Sequence, residues 1–307
     1  ALIYLQTGSM EFLTIGRGLH SLTSLPPLFL TGLGLMLIGV GFKLAVVPFH
    51  MWTADVYQGA PTPVTSFIAT VSKGGVLAVF LRFFIAIDGF RFKTLMLMLI
   101  SITIASMIVG NLLALRQKNV KRILAYSSIA HLGYLLVAFI PGSPMSLQAV
   151  SFYLVVYFIT TLTAFGVLIV LSTKENDAED IESYKALFWK QPLLACIFST
   201  ALLSLAGIPL TAGFVGKFFI LAANLQEEFW LMAFILVVSS VIGLYYYLRI
   251  ISKMFSGRGG VPFKEKKAHP VFYLISVIVL LTLTLFIILF GTYPSGLMHF
   301  VTYFQLK

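Results

Sequence analysis

Three lysines inside long apolar runs are the residues best placed to do chemistry. Lys43 and Lys73 lie in consecutive runs, and Lys217 lies in a third run much later in the chain. A charged group at the centre of a bilayer costs at least about 2.5–3.5 kcal/mol. Burial and a neighbouring like charge destabilise an ammonium group, whereas a nearby carboxylate stabilises it, so a lysine between these influences can load and release a proton. The pattern favours proton transfer.

Lys43 and Lys73 are expected to lie close together. Lys43 is seven residues before the end of its run and Lys73 about eleven residues after the start of the next. These positions correspond to depths of roughly 10 Å and 16 Å from the same face. Since consecutive spans are antiparallel neighbours, we expect one or two water molecules between the ammonium groups. The alternative is that each lysine pairs structurally with a carboxylate, but all eleven acidic residues fall in loops or near helix ends.

A histidine and the third lysine complete the candidate set. His131 lies in the middle of a run, and Ser127, Ser128 and Tyr134 share its face at helical spacings of three and four. A histidine there can relay protons near neutral pH; a core histidine bonded to a hydroxyl fits equally well. Lys217 follows Pro209 by eight residues, and its alternative role is to extend its ammonium to the membrane surface.

Composition identifies an integral membrane protein. Of 307 residues, 59% are hydrophobic and only 10% are charged, whereas a soluble domain carries about 25% charged residues. Apolar runs of about 20 residues, long enough to cross a bilayer, recur along the chain. We predict an all-α, polytopic transmembrane helix bundle forming a single membrane domain over 1–307. The predicted spans are roughly 27–50, 62–86, 94–115, 120–140, 147–172, 192–223, 229–255 and 270–292.

The net charge of +10 reflects membrane topology. Most basic residues lie in the connections near 51–61, 116–122, 173–191 and 249–269, which alternate with the remaining connections. This distribution is typical of cytoplasmic loops and argues against nucleic-acid binding. It places the C-terminus on the opposite side. The segment 173–191 is expected to be a solvated loop with a short surface helix over 183–190. The single Cys196 excludes a disulfide framework.

Two predicted spans are interrupted. The first contains Pro48 and continues as a short helix from Trp52 to Tyr57, and the sixth contains Gly207 and Pro209. A proline inside a helix frees a carbonyl and bends the axis, and freed backbone at membrane depth survives only where protein or water surrounds it. Paired breaks in corresponding positions of two halves are typical of transport sites. The chain opens with an apolar segment and no initiator Met, so we expect it to be incomplete at its N-terminus.

Three long motifs resemble the antiporter-like subunits of respiratory complex I, the proton-pumping NADH:quinone oxidoreductase. They span 41–64 (GFKLAVVPFHMWTADVYQGAPTPV), 119–134 (NVKRILAYSSIAHLGY) and 204–218 (SLAGIPLTAGFVGKF). The resemblance covers essentially the whole chain. Asp55-Val56-Tyr57-Gln58-Gly59 favours the subunit N branch over the L and M branches, and Lys217 stands where the M branch has a glutamate.

The resemblance implies a fold of fourteen helices with two inverted five-helix repeats, each containing one broken helix. The eight spans then correspond to helices seven to fourteen of that fold. By resemblance, Lys43 is the lysine of a first half-channel, Lys73 a connecting lysine and Lys217 the lysine of a second half-channel. The family's glutamate partner of Lys43 lies in a part that this chain does not contain, in agreement with the missing carboxylate.

The implied function is proton translocation in the bacterial inner membrane, driven by quinone reduction elsewhere in the complex. The resemblance implies no cofactor in this chain; NADH, FMN, iron–sulfur clusters and quinone would bind to partner subunits. The implied partners are the antiporter-like subunits M and L, the small subunits K, J, A and H, and lipids. A subunit of a multi-subunit Na⁺/H⁺ antiporter, which shares the fold, is the first alternative. A structural membrane scaffold is the second.

Overall fold

The structure is a computed structural model that describes residues 1–19, 25–172, 177–257 and 270–305. These residues form α-helices and short helical turns, with no β-strand among them. In chain order the α-helices are α1 Leu2–Thr7, α2 Phe12–Leu19, α3 Pro27–Leu44, α4 Trp52–Gly59, α5 Thr62–Phe67, α6 Lys73–Ala86, α7 Lys93–Leu115, α8 Val120–Phe139, α9 Pro144–Leu171, α10 Leu187–Lys190, α11 Pro192–Ala206, α12 Ala212–Gln226, α13 Trp230–Phe255, α14 Pro270–Thr292 and α15 Ser295–Gln305.

The predicted all-α polytopic bundle is confirmed. Within the described ranges, seven helices are long and apolar enough to cross a membrane, and α11 and α12 are shorter apolar helices that together occupy the sixth predicted span. The helix boundaries lie within a few residues of the prediction wherever a span is unbroken. The short helices α2 and α15 were not predicted.

The helix α8 forms the centre of the bundle and packs against α4, α7, α9, α12 and α13. Nearly all of its residues are buried, because these five helices surround it. The helices α8 and α7 pack closely because the glycines at their contact have no side chains. A Cβ on Gly110 would lie 2.8 Å from the backbone nitrogen of Ala130, and one on Gly133 would lie 2.7 Å from Met107 Cγ. This contact fixes the position of His131.

The second predicted span is one continuous helix with a wide turn in its middle. The α-helices α5 and α6 are joined by a π-helical segment, Ile68–Ser72, and Lys73 is the first residue after it. A π-helical turn changes the direction in which the following side chains point, and such turns occur frequently at functional sites. The sequence pattern did not indicate this turn.

The connections that were predicted to share one side do meet. Lys121 of α8 binds Asp177 and Glu179, and Arg122 pairs with Asp55 of α4 at 2.5 Å. Lys253 of α13 pairs with Glu182 at 2.6 Å. We call this end of the bundle the basic side.

The loop before α11 differs from the prediction. Its residues 173–176 lie outside the described ranges, and the remainder is docked on the bundle instead of being solvated, because Ile181 and Tyr184 are buried. A short antiparallel bridge joins Asn119 and Asp180. The helix expected over 183–190 is replaced by a 3₁₀ turn, Ile181–Tyr184, and by the four-residue α10.

Candidate functional site

Lys73 lies fully inside the bundle and has no carboxylate partner among the described residues. Its ammonium donates to Ser128 Oγ at 2.8 Å and lies 5.3 Å from the centre of the Tyr57 ring. The Tyr157 hydroxyl donates to the same Ser128 oxygen at 2.8 Å. The side chain is therefore held by a hydroxyl and an aromatic face, which tolerate either protonation state of the amine better than a carboxylate would.

His131 lies one turn after Ser128 on α8 and is surrounded by tyrosines. Its Nδ1 is 2.7 Å from the Tyr153 hydroxyl, and its Nε2 is 3.1 Å from the Tyr247 hydroxyl. The Tyr157 ring stacks on the imidazole at 5.4 Å between centres. Both ring nitrogens thus have hydroxyl partners, so the imidazole can pass a proton from one nitrogen to the other through a change of tautomer.

Lys217 occupies the second break. The helix α11 ends at Ala206, and Gly207 adopts a left-handed conformation with φ 85°. The Lys217 ammonium, on α12, reaches back and donates to the carbonyls of Leu205 and Ala206 at 3.0 Å each. These carbonyls carry the negative end of the α11 dipole, where a cation is favourable. The ammonium is buried and bound inside the protein, which argues against the alternative that it extends to the membrane surface.

The ammonium of Lys217 also faces the His131 cluster. It lies 4.9 Å from the centre of the Tyr134 ring, and Tyr134 packs edge-on against His131 at 5.3 Å between ring centres. Serine and glycine residues bring α12 close to α11 at this point. The Gly213 nitrogen donates to Ser204 Oγ at 3.1 Å. The second break, Lys217 and His131 therefore form one contiguous site.

Lys43 lies at the first break, and its surroundings differ. The helix α3 ends at Leu44, Ala45 is left-handed with φ 60°, and Pro48 lies in the irregular segment that leads to α4. Lys43 is exposed on the surface of this chain. Within the described part of the chain, its ammonium has no hydrogen bond or ion pair. The contacts of Lys73 lead to Ser128 and not to Lys43, so the predicted Lys43–Lys73 pair remains a prediction.

A continuous polar axis joins two of the three lysines. It runs from Lys73 through Ser128 and Tyr157 to His131, and from there through the rings of Tyr153 and Tyr134 to Lys217. Each of these groups except Lys217, which is 9% exposed, is at most 3% exposed. Hydroxyls and a neutral imidazole both donate and accept protons, and an ammonium group donates them. The hydrogen-bonded links can therefore pass protons, whereas transfer across the ring contacts between Tyr157 and His131 and between Tyr134 and Lys217 requires water or side-chain movement at those points.

Three tyrosines that contact His131 were missed by sequence reasoning, whereas Tyr134 was predicted to share its helix face. Tyr153, Tyr157 and Tyr247 stand in strongly apolar helices, where a tyrosine can equally pack its hydroxyl at a membrane surface. The spacing of four between Tyr153 and Tyr157 places them on one helix face. This spacing was the only feature of the sequence that could have indicated their common site. The contacts of Arg249 were likewise not predicted. It donates to the carbonyls of Leu115 and Gln117 at the end of α7.

No group of three or more metal-ligating side chains occurs among the described residues.

Comparisons with known proteins agree with this fold. A family model described as "NADH:quinone oxidoreductase/Mrp antiporter, TM" matches residues 1–243. A chain of respiratory complex I from Thermus thermophilus, solved with bound aureothin, is 34% identical with a TM-score of 0.79, over 97% of this chain and 63% of that one. A chain of the membrane-bound sulfane sulfur reductase, an archaeal respiratory membrane complex, is 28% identical with a TM-score of 0.85, over 98% of this chain and 60% of that one.

A chain of the Mrp complex from a Dietzia species is 22% identical with a TM-score of 0.85, over 98% of this chain and 62% of that one; at this identity the match shows the fold alone. The protein thus spans less than two thirds of the length of the chains that it matches. All three matches are to subunits of multi-subunit membrane complexes. Since the family model matches more than half of the chain, the protein belongs to the family of transmembrane subunits shared by NADH:quinone oxidoreductases and Mrp antiporters.

Proposed function

We propose that the protein is a proton-translocating subunit of an NADH:quinone oxidoreductase, of the subunit N branch, in a bacterial inner membrane. Protons would pass through Lys43, Lys73, His131 and Lys217. The observation that carries the proposal is the buried axis, in which two ammonium groups without carboxylate partners in the described chain flank a histidine with hydroxyls on both nitrogens.

The choice of complex rests on sequence identity. The chain is 34% identical to a chain of complex I from Thermus thermophilus and 22% identical to the chain of the Mrp complex. Quinone, NADH, FMN and the iron–sulfur clusters would then bind to other subunits, and this chain would bind none of them. The proposed partners are the antiporter-like subunits M and L, the small subunits K, J, A and H, and lipids. The C-terminus is proposed to lie in the periplasm.

The proposed coupling is electrostatic. A change of charge during quinone reduction elsewhere in the complex would shift the proton affinity of the nearest group on the axis, and each protonation change would act on its neighbour. In a low-dielectric interior, charges several ångströms apart interact far more strongly than in water. A helix break next to a lysine exposes backbone carbonyls that respond to the charge, as Leu205 and Ala206 do for Lys217.

The test is proton pumping by the assembled complex in vesicles. We expect Lys43→Ala and Lys73→Ala to reduce the number of protons pumped per NADH oxidised, at unchanged assembly. Lys93→Ala, which removes an exposed lysine at the start of α7, is the control and should pump normally. Unchanged pumping in both site variants would refute the relay role.

The alternative is a subunit of a Na⁺/H⁺ antiporter, because the matching family model covers both NADH:quinone oxidoreductases and Mrp antiporters. Purification of the protein from its own membranes distinguishes the two proposed functions. NADH:quinone oxidoreductase activity in the purified complex supports our proposal. Sodium–proton exchange without NADH oxidation would refute it and support the alternative.

A further inference from the structure

A buried asparagine on α7 connects the two ends of the His131 site. Asn111 is 0% exposed and lies where α7, α8 and α13 meet. Its Nδ2 lies within hydrogen-bonding distance of three acceptors, Tyr134 Oη at 3.1 Å, Ser239 Oγ at 2.6 Å and the Met107 carbonyl at 2.8 Å, which share its two hydrogens. Its Oδ1 accepts a hydrogen bond from the Tyr246 hydroxyl at 2.9 Å. An amide that uses both ends in this way fixes the orientation of every group that it binds.

One end of the amide leads to Lys217. The Tyr134 hydroxyl is bound by Asn111 and lies 3.1 Å from Ser239 Oγ, while the face of the same ring supports the Lys217 ammonium at 4.9 Å. The attraction of a cation to a ring depends on the cation lying over the ring face. A rotation of Tyr134 would therefore change the environment of the ammonium directly.

The other end of the amide leads to His131. The Tyr246 ring packs on Tyr247 at 4.4 Å between ring centres, and the Tyr247 hydroxyl is the partner of His131 Nε2 at 3.1 Å. The backbone leaves room for this end of the amide. A Cβ on Gly243 would lie 3.1 Å from Asn111 Oδ1 and 3.5 Å from the Tyr246 hydroxyl.

We propose that Asn111 is a positioning residue for proton transfer between His131 and Lys217: it holds Tyr134 and Tyr246 in one relative arrangement, so that both sites keep their geometry together. A side-chain amide neither gains nor loses a proton near neutral pH, so Asn111 acts through the tyrosines and does not carry protons itself. This inference rests on the proposed function.

The chain offers a matched control. Asn224 on α12 is also 0% exposed, but its Nδ2 donates to two backbone carbonyls, those of Val137 and Ile220, at 3.1 and 2.9 Å. Replacing either asparagine with leucine removes a buried amide of the same size. Only the change at Asn111 removes partners of the tyrosine hydroxyls.

The experiment compares these variants in the complete complex, reconstituted in vesicles with NADH and quinone. The readouts are assembly, NADH oxidation, and protons pumped per NADH. We expect Asn111→Leu to lower the pumping ratio by roughly twofold or more at matched assembly, because buried hydroxyls lose their partner. Asn224→Leu should leave the ratio unchanged. Gly243→Ala, which presses on the Asn111–Tyr246 bond, should lower the ratio in the same direction as Asn111→Leu.

A conservative variant gives a signature that a purely structural role would not produce. In Asn111→Asp the neutral carboxyl keeps an acceptor and one donor, whereas the ionised form loses the donor. We therefore expect the pumping ratio to recover as the pH is lowered, in contrast to Asn111→Leu and Asn224→Asp. The titratable groups around this position are Tyr134 and His131 of α8, Tyr246 and Tyr247 of α13, and Lys217 of α12, and the unaltered complex supplies their own pH dependence.

Normal pumping in Asn111→Leu, or an equal loss in Asn224→Leu, would overturn this inference. If Asn111→Leu fails to assemble, Asn111→Asp and Gly243→Ala decide the matter on the same readout. Lys217→Ala separates the two proposals. Normal pumping in that variant would overturn the proposed function and this inference together, whereas loss of pumping there with normal pumping in the Asn111 variants would overturn this inference alone.

Discussion

The two helix breaks place a lysine beside freed backbone in opposite ways. At the first break, Lys43 belongs to the last turn of the helix that ends there and is exposed on the surface of the chain. At the second break, Lys217 belongs to the helix that begins there, is buried, and donates to the last carbonyls of the preceding helix.

The difference is that the lysine of the second break binds the freed carbonyls of its own break, whereas the lysine of the first break does not bind freed backbone in the described part of the chain. At the first break, freed backbone groups find partners in other elements or across the break. The Val47 nitrogen donates to Ser106 Oγ of α7 at 3.0 Å, and the Phe42 carbonyl accepts from the Trp52 indole at 2.9 Å. Polar backbone at membrane depth must be surrounded by protein or water. We therefore expect the first break to be more tolerant of local change than the second.

The largest expected effect is that of Gly213→Ala at the second break. The added Cβ would lie 1.8 Å from the backbone oxygen of Ser204, so α11 and α12 would have to separate. Overpacking of this kind costs about 3 kcal/mol or more, since no flexible side chain can move away. The expected result is loss of the assembled subunit from membranes, measured by immunoblot and by thermal unfolding of the purified complex.

The corresponding change at the first break is Gly41→Ala. Here the Cβ would meet the Phe49 ring at 2.8 Å, and a ring can rotate, so we expect a loss of only about 1–2 kcal/mol. Gly39→Ala is the control in the same helix, because nothing lies within 4 Å of its added Cβ. If Gly41→Ala were as damaging as Gly213→Ala, the two breaks would not differ in tolerance.

A further prediction concerns Lys121, which lies on the basic side and binds the end of α4, the helix that follows the first break. The Lys121 ammonium donates to the carbonyls of Gln58 and Ala60, at the end of α4, and binds Asp177 and Glu179. Its side chain is 1% exposed, whereas each carboxylate is 27% exposed. Breaking a partly buried pair leaves unpaired charges and carbonyls, so Lys121→Met should destabilise the protein by about 2–3 kcal/mol.

The measurement is again thermal unfolding of the purified complex, and the exposed neighbour Lys118 supplies the control as Lys118→Met. An equal fall in the unfolding temperature of the two variants would mean that the loss of a positive charge at the surface, and not the loss of the bonds from Lys121 to the end of α4, causes the effect.

A smaller effect is expected for the bond that closes the first break on itself. Trp52→Phe keeps the ring that packs against Phe42 at 5.4 Å between centres but removes the indole donor to the Phe42 carbonyl. One hydrogen bond contributes about 1 kcal/mol. The expected result is a small fall in the unfolding temperature, while Trp230→Phe, at a 64% exposed tryptophan, should leave it unchanged. A larger loss would show that the first break depends on this single bond.

The sequence was sufficient for the spans and the breaks because both have strong local signals. Apolar runs of about 20 residues and the dipeptides Val47-Pro48 and Ile208-Pro209 predict spans and interruptions from the hydrogen bonding of the backbone alone. His131 with Ser128 and Tyr134 on one face was likewise predictable from helical spacing.

The remaining features depend on contacts between helices, which spacing within one helix does not reveal. Asn111 and Tyr247 meet their partners only through the packing of α7 and α13 on α8. Lys217 was assigned to the site, but the orientation of its side chain was not predictable. The ammonium points back to the carbonyls of Leu205 and Ala206, and this contact depends on the position of α11. Lys121 looked like an ordinary loop cation, since its burial is produced by a loop about 60 residues later.

The smallest effect is expected at the loop that precedes the second break. A hydrogen bond from the Lys253 ammonium lowers the pKa of the exposed Glu182 carboxyl. Because this pKa is lower in the folded state, the contribution is complete above the ordinary glutamate value of about 4.3 and is lost as the pH falls through the folded value. Glu182→Gln should therefore lower the unfolding temperature slightly at neutral pH and not at all in strong acid. Glu227→Gln, at a carboxylate without an ion pair among the described residues, should show no such difference. A pH-independent loss in Glu182→Gln would mean that packing of the loop, and not its charge, supports the second break.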